Sequence, residues 1–162
     1  MKTAALLALA LALTSATPLL YAQDASALIG VWRLTKYEIE FKDGSPSSKL
    51  FGDNPPGYLI FTPKGRMAAV IEATDRKYGT TDAERVALFL STVAYTGTYR
   101  IDGDRWITKV DAAWSPVMRV AEQVRFYKVQ GSKLQVTAAW GPDPRFPGRG
   151  EARALLVWQR AE

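Results

Sequence analysis

Glu38, Tyr99 and Arg125 are the residues of this 162-residue chain whose side chain types suit acid–base chemistry in a shared pocket. A carboxylate can abstract a proton, and a tyrosine hydroxyl or a guanidinium can stabilise the oxyanion that develops. Together they predict a cofactor-free isomerase or cyclase whose carboxylate needs a raised pKa. The same three side chains, acting only as hydrogen-bond partners, would instead orient a bound ligand.

A wider set of polar and aromatic residues lies in the predicted strands and forms the candidate ligand-binding set. Tyrosine offers aromatic surface with a hydroxyl, and arginine offers a planar fork suited to a carboxylate or enolate. Such a lining suits a largely apolar acid or phenol. The alternative is that the tyrosines pack in the core and that Arg125 pairs with a surface glutamate. The candidates are Lys36, Glu38, Tyr58, Tyr95, Tyr99, Gln123, Arg125 and Tyr127.

Strand alternation decides which way Lys36 and Glu38 point. If Trp32 faces inward, a period of two places Leu34, Lys36 and Glu38 on the same inner face. Two charges in the interior must pair, meet water or contact a ligand, because burying them alone is costly. A bulge near the strand end would return both side chains to solvent, and bulges are common at barrel rims.

The chain contains no cysteine and no histidine, which excludes several reaction classes. Ser-His-Asp triads, Cys-His pairs and imidazole metal sites all require one of these residues. No alternating Asp and Asn run resembles a calcium loop. We therefore expect no metal and no cofactor. The net charge of +5 is scattered along the chain rather than clustered, so we expect no nucleic-acid partner.

Residues 1–22 have the pattern of a secretory signal peptide. Lys2 precedes a short apolar run, and small residues follow it around possible cleavage sites. We predict cleavage after Ala22, with Ala16 as the competing site, and a secreted or periplasmic location. The apolar run is shorter than the ~20 residues of a spanning helix, so no membrane anchor is expected. Residues 23–162 then form one domain.

The remaining sequence predicts strands separated by short turns. Eight runs show strand character, at about 31–41, 57–62, 66–72, 95–102, 105–113, 122–129, 133–139 and 152–160. Between the third and fourth, Thr81 and Glu84 form a capping box ahead of apolar residues at helical spacing, from Val86 to Val93. Eight strands in sequence-neighbour order predict an all-β, antiparallel up-and-down barrel with one short helix. Such a barrel leaves room for one small ligand.

Both ends of the predicted barrel carry distinctive residues. Gly30 and Trp32 open the first strand, and Arg160 closes the last, so we assign these three to structural closure of one barrel end. A basic side chain across a tryptophan face contributes about 0.5–2 kcal/mol. Trp114 and Trp140 begin the two long loops, where they would form a lid or cover an edge of the core.

Five segments resemble the lipocalin-like domain family: LIGVWRL at 28–34, GYLIFTPKGRM at 57–67, YTGTY at 95–99, EQVR at 122–125 and LVWQR at 156–160. The resemblance spans nearly the whole chain after residue 22. It implies a calycin-type barrel with a central pocket, in an exported bacterial protein. Some relatives in this family resemble small isomerases or cyclases.

One departure from the family pattern bears on function. Where the family often has Thr-His-His, this chain has Thr108-Lys109-Val110. The acid–base histidines of such relatives are therefore absent, which favours binding of a small hydrophobic or amphipathic ligand over catalysis. Two alternatives stay open: the cofactor-free isomerase or cyclase, and a periplasmic structural or interaction module whose barrel is filled by side chains.

Overall fold

Antiparallel β-strands make up half of residues 25–162, the part of the chain that the computed structural model describes. The predicted signal peptide, residues 1–22, lies outside these described residues. One short α-helix interrupts the strands, and single 3-10 turns occur at Ala25–Leu28 and Pro116–Arg119. In chain order the elements are β1 Gly30–Phe41, β2 Gly57–Phe61, β3 Arg66–Glu72, α1 Asp82–Leu90, β4 Thr92–Asp102, β5 Arg105–Ala113, β6 Gln123–Gln130, β7 Lys133–Thr137, β8 Gly141–Pro142 and β9 Glu151–Arg160.

The strands close into a barrel because β1 pairs with both β2 and β9. From β1 to β7 each strand pairs with the next in sequence, and β7 then pairs with β9. The two-residue strand β8 pairs with the start of β9 and is not one of the eight strands that form the barrel wall. The predicted eight-stranded up-and-down barrel, with one helix between β3 and β4, is confirmed.

Arg160 and Trp32 lie together at one end of the barrel. The Arg160 guanidinium carbon is 4.1 Å from the centroid of the Trp32 ring. Arg160 also donates to the carbonyl oxygens of Ile29 at 2.8 Å and Ala27 at 2.7 Å. The Trp32 indole N–H donates to the Leu28 carbonyl at 2.8 Å. These contacts plug the end at which β1 begins and β9 finishes.

Glycine is required at position 30 for two reasons, the backbone conformation there and the atoms that surround it. Its φ angle is +129°, which side chains other than glycine rarely adopt. A Cβ at this position would lie 2.7 Å from Nη1 of Arg160 and 2.8 Å from the carbonyl oxygen of Glu162. The glycine therefore allows the end of the chain to pass directly over the start of β1.

A bulge in β1 sets the direction of every later side chain on that strand. Leu34 pairs with Trp158 and Lys36 with Val157, which leaves Thr35 as an extra residue without a partner in the ladder. Thr35 and Lys36 both lie on the outer side, and the buried positions continue at 37, 39 and 41.

This bulge corrects the prediction that Lys36 and Glu38 point into the barrel. Both lie on the outer face, where Nζ of Lys36 is 2.9 Å from Oε2 of Glu38. The Ser47 hydroxyl donates to the same carboxylate at 3.1 Å. Hydrogen bonding from Lys36 lowers the pKa of Glu38. The structure agrees with the alternative prediction, in which a bulge returns the two side chains to the surface.

Helix α1 lies beside the open end of the barrel and begins with the predicted capping box. The Glu84 N–H donates to the Thr81 hydroxyl, while the Glu84 side chain accepts from the Thr81 N–H. The helix ends at Leu90, so Val93, which helical spacing assigned to the helix, lies in β4 instead. None of the helix side chains is buried. Within residues 25–162, no helix has the length and apolar character to cross a membrane.

Candidate ligand-binding cavity

The barrel contains a cavity of about 490 Å³. Leu90 lines the cavity and is 67% exposed, so the cavity reaches solvent beside α1. Met118 and Pro142 also line it, which places the mouth between α1, the 3-10 turn after β5 and the loop after β7. The mouth is thus at the end of the barrel opposite Trp32 and Arg160.

Most of the cavity wall is apolar. The inner faces of the strands supply aliphatic and aromatic side chains, as the alternation of buried and exposed positions requires. Trp114 covers part of the mouth, and its indole N–H donates to the Phe89 carbonyl at 3.2 Å. The principal apolar lining residues are Leu59, Ala69, Ile71, Val136, Ala154 and Leu156.

Two tryptophans contribute polar donors as well as apolar surface. Trp106 and Trp158 are 1% and 2% exposed, and both line the cavity. Neither indole N–H has a hydrogen-bond partner among the described residues. A buried donor without a partner costs about 1–3 kcal/mol, so these two N–H groups are polar points in an otherwise apolar wall.

Arg125 reaches the cavity from β6 and is held by two neighbours. Its Nη1 donates to the Val124 carbonyl at 2.8 Å, and its Nη2 donates to Oε1 of Gln123 at 3.3 Å. The Gln123 amide nitrogen in turn donates to the carbonyl oxygens of Met118 at 3.1 Å and Ala121 at 3.0 Å. Gln123 therefore positions the guanidinium without contributing a charge.

A second polar group lies at the mouth, where Tyr37 meets Arg145. Arg145 forms two hydrogen bonds to the Asp143 carboxylate, at 2.9 and 2.6 Å. Those hydrogen bonds lower the pKa of Asp143. Burial raises the pKa of the Tyr37 hydroxyl, against the opposing effect of the Arg145 and Arg125 guanidinium groups.

The structure brings only part of the predicted ligand-binding set to the cavity. Tyr95 and Arg125 line it. Tyr58 lies on the outer face and is 49% exposed, which corrects its assignment to the interior. Tyr99 and Tyr127 face inward but do not line the cavity. Tyr99 packs against Phe61, and Tyr127 packs against Trp106.

The predicted catalytic trio does not converge. Glu38 lies outside the barrel with a lowered pKa, whereas a general base needs a raised one. The Tyr99 hydroxyl donates to the Thr62 carbonyl at 3.3 Å near the plugged end. Of the three residues, Arg125 alone lines the cavity. The geometry thus gives no support to the isomerase or cyclase alternative.

Several residues that line the cavity are absent from the predicted set. Tyr37 follows the β1 bulge, and a two-residue period across the bulge assigns it to the wrong face. Trp106 lies directly opposite Arg125 in the β5–β6 ladder, but a long connection separates these two strands, so the sequence does not reveal their register. The sequence also carries no signal that Trp158 lines a cavity rather than packing in the core. Among residues 25–162 there is no cluster of acidic side chains suited to a metal ion.

Fold and cavity together define the class: a closed antiparallel barrel, plugged at one end, that encloses a cavity of ligand size. The chain belongs to the lipocalin-like domain family, whose model matches residues 29–161. The resemblance seen in the sequence is thereby confirmed. A comparison with curated proteins gave no match.

Two solved structures are similar in outline. A lipocalin-like protein from Bacteroides uniformis shares 14% identity at a TM-score of 0.43, over 83% of this chain and 98% of that one. A redesigned β-barrel shares 13% identity at a TM-score of 0.42, over 88% of this chain and 98% of that one.

Proposed function

We propose that this protein is an exported binding protein that holds a small, largely apolar molecule in the barrel cavity. The observation that carries the proposal is the cavity itself, about 490 Å³ and open at one end. Ligand pockets in proteins typically measure about 300–1,000 Å³ and combine apolar walls with a few polar groups. This cavity has both properties, and a barrel filled by side chains would lack them.

Export is proposed from the sequence of residues 1–22. A basic start, a short apolar run and small residues before Ala22 are typical of a secretory signal. A chain without cysteine is compatible with either side of a membrane. The predicted signal peptide, residues 1–22, is therefore the feature that supports a secreted or periplasmic location.

The cavity can be tested with N-phenylnaphthylamine, an uncharged apolar fluorophore. We expect it to bind with a rise in fluorescence and one-to-one stoichiometry. Ala154 lines the cavity, so Ala154→Phe should weaken binding at least about tenfold, or about 1.4 kcal/mol. Ala112→Phe is the matched control, since Ala112 is an exposed strand alanine on the outer face. Equal affinity in all three proteins would place the fluorophore outside the cavity and contradict the proposal.

The natural ligand and the location can be tested together. Native mass spectrometry of the protein from the exported fraction of its own host would reveal a bound molecule as added mass, and its release would identify it. A mass that begins at residue 23 would support cleavage after Ala22. A chain found only inside the cell with its leader intact would contradict export.

A further inference from the structure

Three arginines of the described chain line the cavity, and they differ in how their charge is balanced. Arg145 is paired with Asp143, and Arg153 is paired with Glu40 at 2.8 Å. Arg125 has no carboxylate partner among residues 25–162. The cavity therefore retains one positive charge, located on β6.

The surroundings of Arg125 leave that charge available to a ligand. Its two hydrogen bonds go to neutral oxygens, those of Val124 and Gln123. A guanidinium has five N–H donors, so three remain. A charge that is partly removed from water is costly without an opposite charge beside it. An anionic group entering the cavity would supply that charge.

Trp106 adds a neutral donor beside Arg125. The two residues are directly opposite in the β5–β6 ladder, so both side chains lie on the inner face. Cβ atoms of such a pair are about 4.5–5.5 Å apart. The Trp106 indole N–H is buried and has no partner within the described part of the chain. Guanidinium and indole therefore share one inner face, on which the guanidinium supplies the charged donors and the indole a neutral one.

We propose that the ligand is an amphipathic monocarboxylate, with its carboxylate on Arg125 and Trp106 and its apolar body along the cavity wall. This inference rests on the proposed function and specifies its ligand class. A single guanidinium balances a single negative charge, and its flat fork matches a carboxylate in bidentate geometry. A phosphate monoester would bring about two negative charges, and one of them would stay unbalanced in the apolar interior.

The test compares pairs of probes that differ in the carboxylate: decanoate with decanol, and naphthoate with naphthol. Each is measured by displacement of N-phenylnaphthylamine. Removing a hydrogen bond to a charged group costs a factor of about 10–100 in affinity. We expect Arg125→Met to weaken the better-bound carboxylate by that factor and to leave its alcohol nearly unchanged. Arg33→Met is the matched control because Arg33 is exposed on the outer face of β1, and it should change neither probe.

The outcomes separate this inference from the proposed function. If the fluorophore does not bind the wild-type protein, the binding function itself fails. If the fluorophore binds but carboxylates bind no better than alcohols, or Arg125→Met weakens both equally, the cavity binds ligands and the carboxylate assignment is wrong. Unchanged fluorophore affinity in Arg125→Met shows that this variant is folded. Trp106→Phe should weaken the carboxylate less than Arg125→Met does, because it removes only a neutral donor.

Discussion

Arg160 stabilises the plugged end of the barrel through one stacking contact and two hydrogen bonds. Its guanidinium lies over Trp32 and donates to the carbonyl oxygens of Ile29 and Ala27. Both carbonyls belong to the segment that leads into β1. The side chain therefore joins the end of β9 to the residues that precede the first strand.

We expect Arg160→Met to lower the free energy of unfolding by about 1–3 kcal/mol, because it removes the cation–π contact and two hydrogen bonds. Urea denaturation monitored by circular dichroism measures the change. Arg160→Lys is the control: it keeps the charge but loses the planar fork, so it should recover only part of the lost stability. A lysine variant as stable as the wild type would show that the charge alone matters.

The tyrosines of the predicted ligand-binding set show how far the sequence can predict the role of a single residue. Tyr95, Tyr99 and Tyr127 lie on inner faces, but a residue's face on one strand carries no information on how far it lies from the mouth of the barrel. Depth depends on side chains from other strands, and Phe61 and Trp106 occupy the space around Tyr99 and Tyr127. Tyr95 is nearer the mouth and lines the cavity. Which inward residue meets a ligand therefore could not be predicted from one strand alone.

At the scale of elements, the bulge in β1 decides the composition of the cavity wall. One unpaired residue, Thr35, separates two regular stretches of pairing with β9. No residue type in this stretch marks a bulge, and the alternation of the sequence alone places Lys36 inside. The capping box of α1, in contrast, depends on two residues three apart, which is why the sequence indicated it.

Deletion of Thr35 should be tolerated. Leu34, Lys36 and Tyr37 already pair with successive residues of β9, so the shortened strand would keep both its pairing and its inner face. The lost hydrogen bond from the Thr35 hydroxyl to the Val157 carbonyl predicts a cost of about 1 kcal/mol, measured by urea denaturation.

Deletion of Glu38 is the matched comparison. It would turn Ile39 and Phe41 outward and Glu40 inward, so we expect a loss above about 4 kcal/mol or a failure to fold. Equal stability of the two deletion variants would contradict the role given to the bulge.

The Glu84 carboxylate makes α1 sensitive to acid. Hydrogen bonds from the backbone N–H groups of Thr81 and Thr80 lower its pKa from 4.5 to about 2. The group is thus more acidic in the folded protein than in the unfolded chain. Its contribution to stability is fully present above pH 4.5 and is lost as the pH falls towards 2.

We expect Glu84→Gln to have a lower Tm than the wild type at neutral pH, because glutamine carries no charge. The difference should shrink between pH 4.5 and 2, where the wild-type carboxyl becomes protonated. Thermal denaturation across this pH range measures it, and the NMR titration of the Glu84 side chain gives its pKa directly. A Tm difference independent of pH would exclude the charge as its source.

At the scale of the whole molecule, the barrel closes because eight strands of suitable length follow one another with short turns. That count was available from the sequence, since turn residues and alternation mark each strand. The cavity could not be predicted from the sequence, because its volume is the space left when side chains from all strands are packed together. Small residues such as Ala69, Ala152 and Ala154 line it where larger ones would fill it.

A ligand in the cavity should stabilise the entire barrel. Binding to the folded state alone adds about 2.7 kcal/mol to the free energy of unfolding at a ligand concentration of 100 Kd. We expect N-phenylnaphthylamine to raise the Tm of the wild type and of Ala112→Phe. Differential scanning calorimetry measures the shift. Ala154→Phe should show a much smaller shift at the same concentration, and an equal shift would contradict binding inside the barrel.

Because of where the tryptophans lie, we expect the intrinsic fluorescence of the unlabelled protein to report ligand binding. Trp106, Trp114 and Trp158 line the cavity, so any molecule that enters changes the surroundings of three indole rings and with them the near-ultraviolet emission. Trp32 is sealed at the other end, with its N–H held by the Leu28 carbonyl, and contributes a constant background. Extracts of the host can therefore be screened for the natural ligand by intrinsic fluorescence, fraction by fraction, without a dye that competes for the cavity.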